Sequence, residues 1–87
     1  MHIIVSGMVQ GVFFRAFVKK NADMLGIKGW VKNIYENQVE IVAEGKEEQL
    51  EKLVSKARKG SPASRVEKID IKQEPAKGGF KGFDIVY

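Results

Sequence analysis

The 87-residue chain predicts an α+β sandwich: elements in the order βαββαβ, an antiparallel sheet, two helices on one face, and a short closing strand. Three features carry this expectation. Short stretches rich in β-branched and aromatic residues alternate with segments whose apolar residues recur every three or four positions. Breaks bearing glycine or proline separate them. The resulting order is that of a single split βαβ unit, which buries one face of its sheet beneath its helices.

Residues 2 to 6 (His2, Ile3, Ile4, Val5, Ser6) form the first strand, and its apolar run predicts burial on both faces at the centre of the sheet. Phe14, Phe17, Val18, Ala22 and Leu25 share one face of a helix, with Lys19, Lys20 and Asp23 opposite, and Gly26 stops it. Trp30, Val31, Ile34 and Tyr35 supply a second strand, while Val39, Ile41 and Ala43 alternate with Glu40 and Glu44 in a third. A tight hairpin at Glu36-Asn37 joins these two. Leu50, Leu53, Val54 and Ala57 stripe a second helix, whose acidic start at Glu47 and Glu48 and basic end at Lys56, Arg58 and Lys59 match its dipole. Gly60-Ser61-Pro62 ends it. Ile69 and Ile71 define a fourth strand, with Val66 out of phase and a bulge expected near the strand's start. Phe83, Ile85 and Tyr87 form the closing strand.

Several function classes are excluded or disfavoured by the totals. The chain holds no cysteine, so disulfides, thiolate metal ligands and cysteine nucleophiles are absent. Its length suits one domain, residues 1–87. No basic leader precedes the first strand, and no apolar run approaches the roughly eighteen residues of a membrane helix. A cytoplasmic protein with no membrane partner is expected, and nothing in the sequence asks for more than a monomer. The net charge of +4 comes from scattered rather than blocked cations, so it favours anionic partners without choosing among them.

The split βαβ arrangement makes the first two strands parallel, joined by a right-handed crossover, with the third between them. Their carboxyl ends therefore share one edge of the sheet. The loop Gly7-Met8-Val9-Gln10-Gly11-Val12-Phe13-Phe14-Arg15 leaves the first strand at that edge, and Asn33 lies near the end of the second. A strand-to-helix loop offers unpaired amides and a positive dipole end to an anion, and glycine at position 11 permits a sharp turn. Val12, Phe13 and Phe14 are expected to anchor the loop, with Phe13, Phe14 and Phe17 read as core. Arg15 falls in the first helical turn, where the dipole opposes a cation and a bound anion would account for it. Taken singly, the glycines also suit an ordinary turn, Arg15 a solvated surface and Asn33 a strand end; convergence is what raises the functional reading.

The missing groups narrow the chemistry. There is no Gly-x-x-x-x-Gly-Lys-Ser/Thr, no His- or Asp-rich cluster for a metal, and His2 reads as a partly exposed terminal residue. The loop contains no carboxylate, cysteine or histidine nucleophile, so the attacking group comes from solvent. A carboxylic acid has a pKa of about 4, so an acyl phosphate expels its leaving group without a general acid. Positioning and charge neutralisation suffice for such a substrate.

The loop Gly7 to Arg15 resembles the acylphosphatase signature Gly-x-Val-Gln-Gly-Val-x-Phe-Arg, and Gly29-Trp30-Val31-Lys32-Asn33 resembles that family's Gly-x-Val-x-Asn motif. The similarity extends through residues 39–45, 61–66 and 83–85, so it covers essentially the whole chain. It implies a ferredoxin-like sandwich that hydrolyses acyl phosphates to a carboxylate and inorganic phosphate without metal or cofactor. By motif position, Arg15 would bind the phosphate, amides of Gln10, Gly11, Val12, Phe13 and Phe14 would complete the cradle, and Asn33 would orient the water. The resemblance further implies that the substrate's own phosphate oxygen can accept the water's proton. One departure is the hairpin, where the family often has Asp-Gly and this chain has Glu36-Asn37.

Two other readings remain. An RNA-recognition module shares the element order, and residues 81–87 partly echo its aromatic strand motif. Its third strand, however, should carry stacking aromatics, and here that strand reads Val-Glu-Ile-Val-Ala-Glu, so no nucleic-acid partner is expected. The second is a non-catalytic or carbamoyl-phosphate-handling relative, of the kind found as a domain in larger hydrogenase-maturation proteins.

Overall fold

A computed structural model describes residues 1–87. The elements are β1 (His2–Met8), α1 (Phe14–Met24), β2 (Lys28–Asn33), β3 (Gln38–Glu44), α2 (Glu47–Lys59), β4 (Arg65–Lys72) and β5 (Phe83–Val86). They form one 5-stranded sheet in the order β4-β1-β3-β2-β5. β3 runs antiparallel to both β1 and β2, so β1 and β2 are parallel with β3 between them. β5 lies parallel to β2 at the edge, adding a fifth strand that makes the antiparallel sheet mixed. No helix is long and apolar enough to cross a membrane.

One cluster of 16 buried residues lies between the sheet and the helices. Ile3 and Val5 of β1, Val31 of β2 and Val39, Ile41 and Ala43 of β3 face Phe14, Val18 and Ala22 of α1 and Leu50, Leu53 and Ala57 of α2. This is the period-two strand pattern meeting the helical stripes expected from the sequence. α1 packs on β2 and β5, α2 packs towards β4, and the helices touch each other. Both therefore cover the same face.

β1 is central, but it is not buried on both faces. His2, Ile4 and Ser6 are only half-buried, because the second face has no helical layer. Polar pairing serves there instead, with the His2 ring 2.7 Å from the Glu40 carboxylate. The end of β2 also differs from expectation. Ile34 and Tyr35 belong to the turn: the Gln38 amide donates to the Tyr35 carbonyl at 3.1 Å, and Ile34 donates to Gln38 at 3.1 Å. Glu36 and Asn37 are the two central residues of that turn, as the sequence suggested, but with negative φ where the favoured primed hairpin type has positive φ. The expected bulge in β4 is present, since Ser6 pairs with Lys68 and Gly7 with Val66, skipping Glu67.

Close approach of β2 to β3 depends on one glycine. Gly29 has φ 140, and a Cβ built there would overlap the carbonyl oxygen of Val42. Gly29→Ala is expected to lower the free energy of unfolding by about 2–4 kcal/mol, measured from urea transitions. A loss below about 0.5 kcal/mol would show that the strand pair has room to shift.

Candidate active site

The loop from β1 to α1 is held at both ends. Val9 is fully buried. The Gln10 carboxamide donates to the carbonyl of Tyr35 and, at 2.8 Å, to that of Gln38, tying the loop to the β2–β3 turn. Between these anchors and the helix, Gly11 has φ 72 and Phe13 has φ 60, flanking Val12 with a negative φ. Two left-handed residues on either side of Val12 bend the loop sharply just before the first turn of α1. Phe13 is the only non-glycine residue with positive φ, a conformation costing about 1–2 kcal/mol. Its ring is 85% exposed, so Phe13 is not core as the sequence implied; the left-handed backbone turns the ring out to solvent. Phe14 is core, and Val12 is half-buried.

From Gln10 to Ala16, no backbone amide donates to any carbonyl or side chain of the protein. Four such orphans are inherent to a helix start, and proteins ordinarily answer them with a capping side chain or an acidic first turn. α2 has that acidic turn in Glu47 and Glu48. α1 has no side-chain cap and no acidic residue in its first turn. It has Arg15 there instead, adding positive charge where the dipole is already positive.

Arg15 is half-buried and lines a pocket of about 290 Å³ together with Gly11, Phe13, Phe14 and Asn33. One guanidinium nitrogen donates to the Val86 carbonyl at 3.4 Å, and the guanidinium carbon lies 4.7 Å from the centre of the Tyr87 ring. No carboxylate lies within ion-pair distance of it, so the Val86 carbonyl is the one protein acceptor for its five donors. Asn33, the last residue of β2, enters the same pocket from the sheet edge. Its Oδ1 is buried and has no hydrogen-bond partner, which is uncommon enough to need a reason.

Of the residues singled out from sequence, Gly11, Phe13, Phe14, Arg15 and Asn33 therefore converge on one hollow. Gln10 and Val12 do not line it with side chains; Gln10 braces the loop, and Val12 faces a neighbouring groove. Sequence reasoning missed Ile85 and Tyr87, which complete the wall. Parallel pairing of β5 with β2, Val31 opposite Ile85 and Lys32 opposite Val86, brings them there. The alternation Phe83, Ile85, Tyr87 was visible in the sequence, but the strand's partner was not. Arg15 and Tyr87 are the pocket's only ionisable side chains. The arrangement can bind an anion and orient a neutral molecule beside it, and it offers no carboxylate or imidazole for proton transfer.

The acylphosphatase family model matches residues 1–85. An acylphosphatase of Bacillus velezensis is 45% identical over 86 residues, covering 99% of this chain and 96% of that protein. Another from Aeropyrum pernix is 44% identical over 86 residues, covering 98% of this chain and 85% of that protein. The crystal structure of acylphosphatase from Bacillus subtilis superposes with a TM-score of 0.94 at 45% identity, covering 99% and 96% of the two chains. A similar unit occurs in the structure of HypF from T. kodakarensis, with a TM-score of 0.85 and 37% identity over 99% of this chain but 11% of that one.

If the loop's shape is maintained against backbone strain, relieving the strain should stabilise the free protein. Asparagine tolerates positive φ better than phenylalanine, and little apolar burial is lost with an exposed ring. Phe13→Asn is expected to raise unfolding stability by about 0.5–1 kcal/mol. An unchanged or lowered melting temperature would indicate that residue 13 is not strained.

Proposed function

The chain belongs to the acylphosphatase family, and from that premise we propose that its pocket hydrolyses the carboxyl–phosphate bond of acyl phosphates by direct attack of water. The run of amides from Gln10 to Ala16 without acceptors, beginning a helix that carries Arg15 in place of a cap, is the observation that supports this reading most.

The phosphate sits on the amides of Gln10, Gly11, Val12, Phe13 and Phe14, where the helix dipole favours negative charge. Arg15 supplies a fork of donors to its oxygens and neutralises charge that spreads over them in the transition state. The Val86 carbonyl and the Tyr87 ring hold the guanidinium at the rim in the free protein. The Asn33 carboxamide, on the pocket wall, hydrogen-bonds the attacking water and so directs an oxygen lone pair at phosphorus. The bond from that oxygen to phosphorus forms as the bond from phosphorus to the acyl oxygen breaks. The carboxylate leaves unprotonated, and the water's proton passes to a phosphate oxygen of the substrate. Products are a carboxylate and inorganic phosphate, and no cofactor enters. We take the working form to be a monomer and place its work in the cytoplasm.

Release of phosphate from benzoyl phosphate, unaffected by a chelator, is the direct test; no release together with tight RNA retention would favour the binding-module reading. Arg15→Ala should raise KM and weaken competition by inorganic phosphate in parallel, and unchanged inhibition by phosphate would remove Arg15 from this role. Asn33→Ala should lower kcat by about 10²- to 10³-fold with little change in KM. Its carboxamide makes no hydrogen bond in the free protein, so the same variant should keep its unfolding stability within about 1 kcal/mol. Near-normal turnover would contradict the water-orienting assignment.

A further inference from the structure

Backbone placement governs where the Asn33 carboxamide stands, since its Oδ1 has no hydrogen-bond partner in the free protein. That backbone passes at once into the β2–β3 turn, where Tyr35, Glu36 and Asn37 are all exposed and supply no apolar anchor. Two bonds of 3.1 Å close the turn, from the Ile34 amide to the Gln38 carbonyl and from the Gln38 amide to the Tyr35 carbonyl. The Gln10 carboxamide, arriving from the β1–α1 loop, donates to those same two carbonyl oxygens, at 2.8 Å in the case of Gln38. Its NH2 group has two hydrogens for two acceptors. A glutamate there would face both carbonyls, and any bound anion, with negative charge.

We propose that the Gln10 side chain is a positioning residue for turnover: it clamps the turn that follows Asn33, fixes that carboxamide relative to the phosphate cradle, and so acts on kcat through Asn33. This rests on the function proposed above. β3 lies between β1 and β2, so the cradle and Asn33 extend from strands that do not pair with each other. Ties across that edge set their spacing. The Gly7 amide donates to the Asn37 carbonyl at 2.9 Å, while Gln10 grips Tyr35, just past Asn33, and Gln38, next to the Val39 that pairs with Asn33. The cradle itself does not need the clamp, because Val9 and Phe14, both fully buried, hold its two ends. Loss of the clamp therefore displaces the water-orienting group against the phosphate more than it alters the phosphate's seat. A misplacement of about 1 Å between reacting groups can cost about 10²-fold in rate.

Gln10→Met keeps the length of the side chain and removes its donors. It should lower kcat for benzoyl phosphate by about tenfold or more, while the inhibition constant of inorganic phosphate stays within about threefold. A double-mutant cycle then separates positioning from a general loosening of the loop. Once Asn33→Ala has removed the group that Gln10 positions, adding Gln10→Met should change kcat by less than about twofold. Losses that multiply in the double variant, near-normal kcat in Gln10→Met alone, or a weakening of phosphate inhibition as large as the fall in kcat would each overturn the assignment. Should Gln10→Met not fold, Gln10→Asn, whose carboxamide is one methylene short of the turn, goes through the same cycle with the same expectations. Failure of the unmodified protein to hydrolyse benzoyl phosphate would instead refute the underlying function.

Discussion

A strand that passes into a helix without capping it leaves backbone donors with nowhere to go, and the rest of this molecule is organised around that unmet demand. From Gln10 to Ala16 the amides have no protein acceptor, and water must meet them in the free state. On the proposed function a dianion meets them better, because donors held by the folded loop need little reorganisation when it arrives. The same chain supplies Glu47 and Glu48 at the start of α2, so the bare start of α1 is a local exception. Arg15 compounds it. Against a structural role, its charge opposes the dipole; with a phosphate between guanidinium and amides, both positive features become useful. Strain at Phe13 and the orphaned Asn33 oxygen belong to the same pattern, in which local rules of stability are broken where binding is needed.

The sheet converts that loop into a site. Placing β3 between the parallel β1 and β2 sets the loop and Asn33 at one edge. The crossover through α1 carries Arg15 above that edge, and β5 adds Ile85 and Tyr87 beside it. Gln10 links the two halves by donating to the carbonyl groups of the β2–β3 turn. Chemistry of this kind asks little else of the protein, since the acyl leaving group departs as a stable anion. The pocket's lack of carboxylate or imidazole fits the substrate class rather than marking an incomplete site.

Much of this was legible in the residues. Period-two and helical spacing located every element, and the out-of-phase Val66 marked the bulge at Glu67. Parallel first and second strands followed from connectivity, and with them the meeting of Arg15 and Asn33. Other features were hidden for identifiable reasons. The run Ile3-Ile4-Val5 looks the same whether one or both faces are covered, and only the one-sided helices reveal that Ile4 is half-open. An exposed Phe13 contradicts hydrophobicity, because backbone shape rather than burial sets its position. The turn after Asn33 depends on hydrogen bonds between Ile34, Tyr35 and Gln38 that no propensity encodes. Tyr87 reaches Arg15 only because β5 pairs with β2, a choice of partner that alternation cannot express.

On the proposed function the amides from Gln10 to Ala16 are the phosphate's seat. Inorganic phosphate titrated into uniformly ¹⁵N-labelled protein, with the amide resonances followed, tests this. Saturable shifts concentrated at residues 10–16 are expected, with the Asn33 carboxamide responding at the same concentrations. Shifts confined to surface lysines, or saturation that leaves the loop amides unmoved, would contradict it.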